Sequence, residues 1–469
     1  MNDRRRRPNR PPKARPPQRK PNPRPVDVDP VRLVAVETLR MVRERDAYAN
    51  LALPPLLKQR ELSGRDAGLA TELTYGACRA RGLLDAVIGE CSNRPLSELD
   101  PKVLDALRVG VYQLLRTRIP AHAAVGSTVD IVRFENGSKT AGFANAVMRR
   151  AAELDESEWV DKVAPDRSKD PVGYLAMKHA HPRWIAQAFA DAIGLDELED
   201  ALAADDARPA VHLTARPGEI SADELAAITG GDPAPYSPYG VRLDAGAGDP
   251  GDLEPVQEAF ASVQDEGSQL VSLALTSPPV EGSDLRWLDL CAGPGGKAGL
   301  LGSLVTLDGG ELDAVEQAKH RADLVRKTTE GLSVEVHVGD GRDPGLRAGY
   351  DRVLVDAPCT GLGALRRRPE ARWRRSPEDV GELTRLQREL LTSAIELTRP
   401  GGVVAYVVCS PHLPETEGVV ADVVRRTGVT QLDAREHFPD VPDLGEGPGV
   451  QLWPHRHGTD AMFCALLRV

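Results

Sequence analysis

Two hydrophobic periods divide the chain. From Val31 to about Ala152 the apolar positions recur at helical spacing: Val31, Val34, Leu39 and Val42 fall near one face, and Leu104, Leu107, Val111, Leu114 and Leu115 form a stripe. Asp66–Arg81 and Pro101–Thr117 read the same way, with Pro101 suited to a first turn behind a capping Asp100. No alternating strand interrupts this stretch, so residues 28–155 are expected to form a helical bundle of ordinary domain size. Asp155–Asp170 is charged and poor in large apolar residues, which predicts a linker. Residues 170–252 mix helices (Trp184–Ile193, Leu195–Ala204) with a short strand (Val211–Ala215) and Pro/Gly-rich loops such as Asp232–Tyr239. In residues 253–469 the period alternates. Strands are expected at Arg286–Leu290, Leu312–Glu316, Val334–Val338, Arg352–Val355, Gly402–Val408 and Met462–Leu467, with helices at Lys297–Leu304, Ala318–Thr329, Pro377–Thr398 and Glu415–Arg426. Such alternation predicts an open, mostly parallel sheet covered by helices on both faces.

A length of 469 residues suits two or three domains rather than one core. The longest apolar runs, such as Val403–Val408, are too short to cross a bilayer. Six cysteines without any Cys-x-x-Cys pair make no disulfide scaffold. A soluble, cytoplasmic protein with reduced thiols is expected. The net charge of −11 conceals an asymmetry: residues 1–25 hold ten Lys/Arg, one acid and eight prolines, leaving 49 basic against 69 acidic residues in the body. That tail is expected to be disordered and reads either as a polycation for RNA phosphates or as a solubilising extension.

The candidate chemistry lies in the last third. Trp287-Leu-Asp-Leu-Cys-Ala-Gly-Pro-Gly-Gly-Lys297 is a strand entering a glycine turn that opens a helix. It fails the phosphate-loop pattern twice, at Cys291 and Ala298, whereas Gly293-x-Gly295-x-x-Ala298 permits a dinucleotide-type loop; a bare tight turn is the plainest alternative. Glu316, nineteen residues after Lys297, ends the second strand where a carboxylate can accept ribose hydroxyls, and Asp340 ends the third where it can meet an adenine edge. Together they suit an adenosine-containing cofactor. Asp356-Ala-Pro-Cys-Thr-Gly361 and Val408-Cys-Ser410 place Cys359 and Cys409 at the ends of the fourth and fifth strands, whereas Cys78, Cys91 and Cys464 read as buried structural thiols. Arg366-Arg-Arg-Pro-Glu-Ala-Arg-Trp-Arg-Arg375 carries six arginines and one tryptophan, and Arg366, Arg367, Arg368, Arg372 and Trp373 are expected to contact looped RNA. His455 and His457 show no zinc spacing, so no metal is expected.

Leu288–Lys297, Asp340–Arg342, Asp356–Leu362 and Tyr406–Ser410 resemble RNA cytosine-5 methyltransferases, which use S-adenosylmethionine. In the front half, Asp66–Gly76, Gly110–Leu115, Ile119–Ala124 and Asn145–Arg149 look like the NusB-like RNA-binding domain fused to the ribosomal RNA small subunit methyltransferase B group. The resemblance implies an all-α NusB-like bundle, a small α+β connecting region and an α/β Rossmann-like methyltransferase domain. It implies that Cys409 attacks cytosine C6, that Cys359 helps release the product, and that Asp356 bonds the base. It also implies that Cys291, Ala292, Gly293, Pro294, Gly295, Gly296 and Lys297, with Glu316, Asp340 and Asp356, hold the cofactor. The expected partner is small-subunit ribosomal RNA, acted on by a monomer. Glu316 stands where the family commonly has Asp, and Leu413-Pro-Glu-Thr-Glu417 departs from its usual Pro-Glu-Glu-Asn-Glu. The alternatives are a non-catalytic RNA-binding or antitermination-like factor, methylation of another RNA, a DNA cytosine methylase attacking through a Pro-Cys thiol, and a dehydrogenase that leaves both cysteine motifs idle.

Overall fold

Helix formation in the front half begins where the sequence caps it. In the computed structural model, which describes residues 28–244 and 248–469, Asp29 accepts from the Val31 and Arg32 amides at 2.9 and 3.1 Å, with Pro30 in the first turn. Asp100 caps Pro101–Arg116 in the same way through the Lys102 amide. The basic tail lies outside the described residues. Helices Pro30–Arg45, Ala49–Gln59, Gly64–Arg79, Arg81–Cys91, Pro101–Arg116 and the Gly137-kinked Ala121–Ala151 enclose a core containing Leu73, Leu84, Ile88, Leu107 and Ile131. Each such buried side chain contributes roughly 1.5–3 kcal/mol on leaving water.

The expected linker contains a helix. Asp155 and Glu158 form a reciprocal capping box at the start of Glu156–Val163, and Trp159 and Val160 are buried against the bundle. Acidic capping residues lower the mean hydropathy of that stretch and hide its two core residues from a composition reading.

The connecting region starts with helices Pro171–Lys178, Arg183–Ile193 and Leu198–Asp206. A small antiparallel sheet follows: β1 (Val211–Ala215), β2 (Asp232–Pro233), β3 (Gly240–Leu243) and β4 (Ala261–Val263), in the order β2-β3-β1-β4. β4 falls beyond residue 252, yet it pairs with β1 rather than with the larger sheet.

Next come β5 (Arg286–Asp289), β6 (Glu311–Glu316), β7 (Val334–Val338), β8 (Tyr350–Asp356), β9 (Thr398–Val408), β10 (Thr430–Gln431), β11 (Val450–Gln451) and β12 (Phe463–Arg468). Their order is β10-β12-β9-β8-β5-β6-β7, with β11 beside β12. β5 to β9 pair in parallel and β12 runs antiparallel to β9, so the sheet is mixed. Chain order reverses at β5, which has β6 on one side and β8 on the other. In open α/β sheets that reversal opens a crevice at the carboxyl ends of the strands.

The arginine-rich segment joins all three parts. Arg372 is fully buried and donates to the Ala180 carbonyl at 3.1 Å, the Asp205 carbonyl at 2.7 Å and Asp205 Oδ2 at 2.9 Å. Arg366 and Arg367 both pair with Asp265 and Asp460. Burial alone would raise the Asp265 carboxyl, but Arg367, a hydrogen bond with His212 and Arg366 hold it well below its ordinary range. Trp373 donates its indole N–H to the Cys78 carbonyl and lies against Gly82, where a Cβ would meet the ring at 2.3 Å. Arg367, whose Nη1 also donates to the Ala210 carbonyl at 3.0 Å, Arg372 and Trp373 are therefore interdomain fasteners, and Arg366 is buried among partners of its own domain, correcting the expectation that these four face RNA. Nε and Nη2 of Arg366, all three Arg367 nitrogens, both Arg372 Nη atoms and the Trp373 indole N–H already donate inside the molecule.

His179 and His181 sit at this junction. Burial pushes His179 down to about 4, and burial together with the Arg372 charge lowers His181, whose Nε2 is 2.8 Å from Asp205 Oδ2. Both folded values lie below the unfolded value of about 6.5, so the unfolded chain takes up more protons as pH falls through that value. Stability present above pH 6.5 is lost toward pH 4, at about 1.4 kcal/mol per pH unit for each fully linked proton. Urea midpoints measured at pH 7.5 and pH 5 are expected to fall at the lower pH; equal midpoints would contradict neutral, buried imidazoles.

Candidate active site

Strand register brings the two thiols together. β8 and β9 are parallel with Val355 opposite Tyr406 and Asp356 opposite Val407, and the Ala357 amide continues the ladder to the Val407 carbonyl at 2.9 Å. Cys359 and Cys409 lie just beyond those ends, and their Sγ atoms are 3.4 Å apart, both half-buried. The Gly363 amide donates to the Cys409 carbonyl at 2.9 Å, tying the two loops again.

Glu415 holds this pair of loops from beneath. Fully buried, it accepts from the Thr360 amide at 2.8 Å, Ser410 Oγ at 2.8 Å and Gln387 Nε2 at 3.1 Å, and also from the Thr360 hydroxyl. It thereby ties the residue after Cys359 to the residue after Cys409. Sequence reading missed Glu415 because it stands in the loop that departs from the family pattern. Its place six residues from a chemically active cysteine was the available signal.

The hydrogen bond between the thiols separates their acidities. Donation from Cys359 lowers Cys409 against the opposing effect of burial, with Lys297 and Arg368 adding positive charge. Cys359 is raised well above an ordinary thiol by the same bond and by burial. The pair thus favours a thiolate at Cys409 with a thiol at Cys359 donating to it. Lys297 Nζ donates to Asp356 Oδ2 at 2.7 Å and to Ser268 Oγ at 3.3 Å. Burial would lower the Lys297 ammonium, but Asp356 more than offsets it and the net shift is upward. One ion pair therefore connects the glycine loop to the Asp356 motif.

The loop itself is shaped around Glu316. At Gly293 a Cβ would lie 2.1 Å from Glu316 Oε2, so only glycine admits the carboxylate there, and the Gly293 amide donates to that oxygen at 3.1 Å. The other oxygen accepts from the Ala318 amide at 2.9 Å, and Arg321 lies 3.6 Å from the carboxylate. Asp340 caps its own turn and takes the Arg342 guanidinium at 3.0 and 3.1 Å. Asp289 was absent from the predicted set. It is buried at the end of β5, Oδ1 accepting from the Cys291 amide while Oδ2 has no partner among the described residues; burial and the nearby Asp356 charge push it up to about 7. It was hidden inside an apolar run, where a lone acid reads as an irregularity in the strand. Cys291 is raised by burial, which marks an inert thiol under the loop. His457 takes the Trp453 amide and contacts the Pro442 carbonyl, each at 2.8 Å, and is structural.

A crevice at the switch point, a glycine loop, an orphaned buried carboxylate oxygen beneath it and an acid closing the neighbouring strand fit a cofactor with an amino-acid portion and a ribose. The cofactor is S-adenosylmethionine, and the class is an S-adenosylmethionine-dependent methyltransferase with a two-thiol centre. Comparison with known proteins makes the assignment specific. The family model described as 16S rRNA methyltransferase RsmB/F matches residues 275–468, and the NusB family model matches residues 29–153. A protein of Mycobacterium tuberculosis, named only as a methyltransferase, is 62% identical over 94% of this chain and 97% of its own. Ribosomal RNA small subunit methyltransferase B of Pseudomonas putida is 32% identical over 93% and 98%. The crystal structure of PH0851 superposes with a TM-score of 0.78 at 23% identity, covering 94% of this chain and 99% of that one. The chain belongs to the RsmB/F methyltransferase family and carries its NusB-like N-terminal domain.

Among the described residues, no helix is long and apolar enough to cross a membrane.

Proposed function

We propose that the protein methylates C5 of a cytidine in small-subunit ribosomal RNA through a covalent adduct between Cys409 and C6. The observation that carries this reading is the thiol pair at 3.4 Å, polarised toward a Cys409 thiolate beside the Lys297–Asp356 ion pair. The bound cofactor supplies a methyl group on a positively charged sulfur.

The rest is the work of the chain. Cytosine C5 is a weak nucleophile until a thiolate adds to C6 and pushes the double-bond electrons onto C5. Cys409 forms that C–S bond, and Asp356 bonds the base edge near N3 and N4, stabilising the charge that develops there. Once C5 carries the methyl group, water takes the C5 proton, the C–H electrons re-form the C5–C6 double bond, and the C6–S bond breaks with its pair on Cys409. The Cys359 thiol serves this release by donating its hydrogen bond to the departing thiolate. A DNA-type mechanism would instead use the thiol that follows a proline, which is Cys359.

The test is to incubate the protein with methyl-labelled S-adenosylmethionine and ribosomal RNA from cells lacking it, then map the label. Label at C5 of a cytidine in the small-subunit RNA is expected. Label confined to another base, to large-subunit RNA or to DNA would overturn the reading.

A further inference from the structure

Within the arginine-rich segment, Arg368 differs from its neighbours. Arg366, Arg367 and Arg372 pair with buried or partly buried carboxylates, and Arg374 donates to the Val42 and Ala47 carbonyls at 3.0 and 2.5 Å. Arg368 is exposed and, among the described residues, has no carboxylate partner. Its guanidinium lies over the ring of Tyr48, 5.5 Å from the centroid. Tyr48 belongs to the other domain, on the short connection before helix Ala49–Gln59, and is 42% exposed.

That connection is held firmly against the catalytic domain. Besides the two Arg374 bonds, the Ala49 amide donates to Glu370 Oε1 at 3.2 Å, and the Arg374 guanidinium also lies 5.5 Å from the Tyr48 ring centroid. The helical domain therefore presents an aromatic ring at the catalytic domain's surface, next to a cation without a carboxylate partner among the described residues. Arg368 also stands five residues after Gly363, whose amide donates to the Cys409 carbonyl at 2.9 Å, on the loop that borders the thiol pair. An exposed aromatic beside an exposed guanidinium that no carboxylate neutralises is the pairing that receives an unstacked base and its phosphate.

We infer that Tyr48 and Arg368 form a composite subsite, built by both domains, for an unpaired nucleotide flanking the target base. Tyr48 supplies the stacking surface and Arg368 the phosphate contact. The inference rests on the RNA-methylation reading above for the identity of the strand, and it gives the helical domain a share in the active-site rim.

The test uses full-length wild type, Tyr48→Ala, Arg368→Ala and Arg368→Lys. Affinity is measured for a small-subunit RNA fragment containing the mapped cytidine, for an unrelated single-stranded RNA, and for S-adenosylmethionine. Both alanine variants are expected to weaken binding of either RNA about 10-fold, within the range for one lost base stack, with cofactor affinity unchanged. The slope of log affinity against log salt should fall by about 0.7 in Arg368→Ala, the value for one single-strand phosphate, and stay at the wild-type value in Tyr48→Ala and Arg368→Lys. Wild-type RNA affinity in both alanine variants overturns the subsite, as does a parallel loss of cofactor affinity. If wild type methylates no ribosomal RNA but the variants still lose single-stranded RNA, the proposed function fails and the subsite stands. If methylation is found and the variants bind as wild type does, the reverse holds.

Discussion

Cys409→Ala is expected to abolish methyl transfer, with a loss on the order of 10^6-fold, as when the nucleophile is removed from catalytic groups that act as a unit. The magnitude follows from the chemistry: without a sulfur at C6, C5 has no electron pair to offer and the remaining groups have nothing to stabilise. Cys359→Ala should behave differently. Its Cys409 can still add to C6, but product release is blocked, so a denaturant-resistant RNA–protein complex accumulates and runs as a shifted band on a denaturing gel. The same variant removes the hydrogen bond that lowers Cys409. Its rate of adduct formation should therefore rise with pH over a range displaced upward from wild type, because a thiol nearer its ordinary value of about 8.5 is less ionised at neutrality. Native-rate labelling of C5 by Cys409→Ala would exclude it as nucleophile. A Cys359→Ala protein that turns over without accumulating adduct would remove the release role.

How much of this was legible in the sequence depended on whether the determining partner was local. β7 was read to its ends because alternation along Val334–Val338 is a property of those five residues. Periodicity gives β9 only its last seven residues of eleven, since its early part passes through Pro400-Gly401-Gly402 and is held by Asp351, Tyr350 and Val469 from elsewhere in the chain. The two-residue strands β2, β10 and β11 exist only through their pairing and carry no periodicity of their own. At the site, the glycine loop and both cysteine motifs stood out because their spacing is local. Asp289 and Glu415 did not, because burial and convergent donors give them their character. The arginine-rich segment failed for the same reason. Asp205, Asp265 and Asp460 lie some 90 to 170 residues from their arginines, so six positive charges in ten residues looked like a surface.

Arg372→Met is expected to destabilise the protein by about 3–5 kcal/mol, the usual consequence of leaving one member of a buried ion pair alone. Among the described residues, Asp205 would keep only His181 as a partner for its Oδ2, and its Oδ1 already has none. Asp206 would retain Arg116 at 2.7 Å, which confines the damage to the Asp205 side of the junction. For a unit of 150 to 250 residues this corresponds to a fall of roughly 10 °C in the melting transition. The double variant Arg372→Met with Asp205→Asn should recover part of the loss, because no uncompensated charge then stays buried. Binding separates this role from RNA recognition. Measured below its lowered melting point, Arg372→Met should keep the wild-type salt slope for RNA, whereas an arginine on a phosphate would lose about 0.7 of that slope and leave the melting transition in place. A variant that melts with wild type and loses RNA affinity would put Arg372 back on the RNA-facing surface.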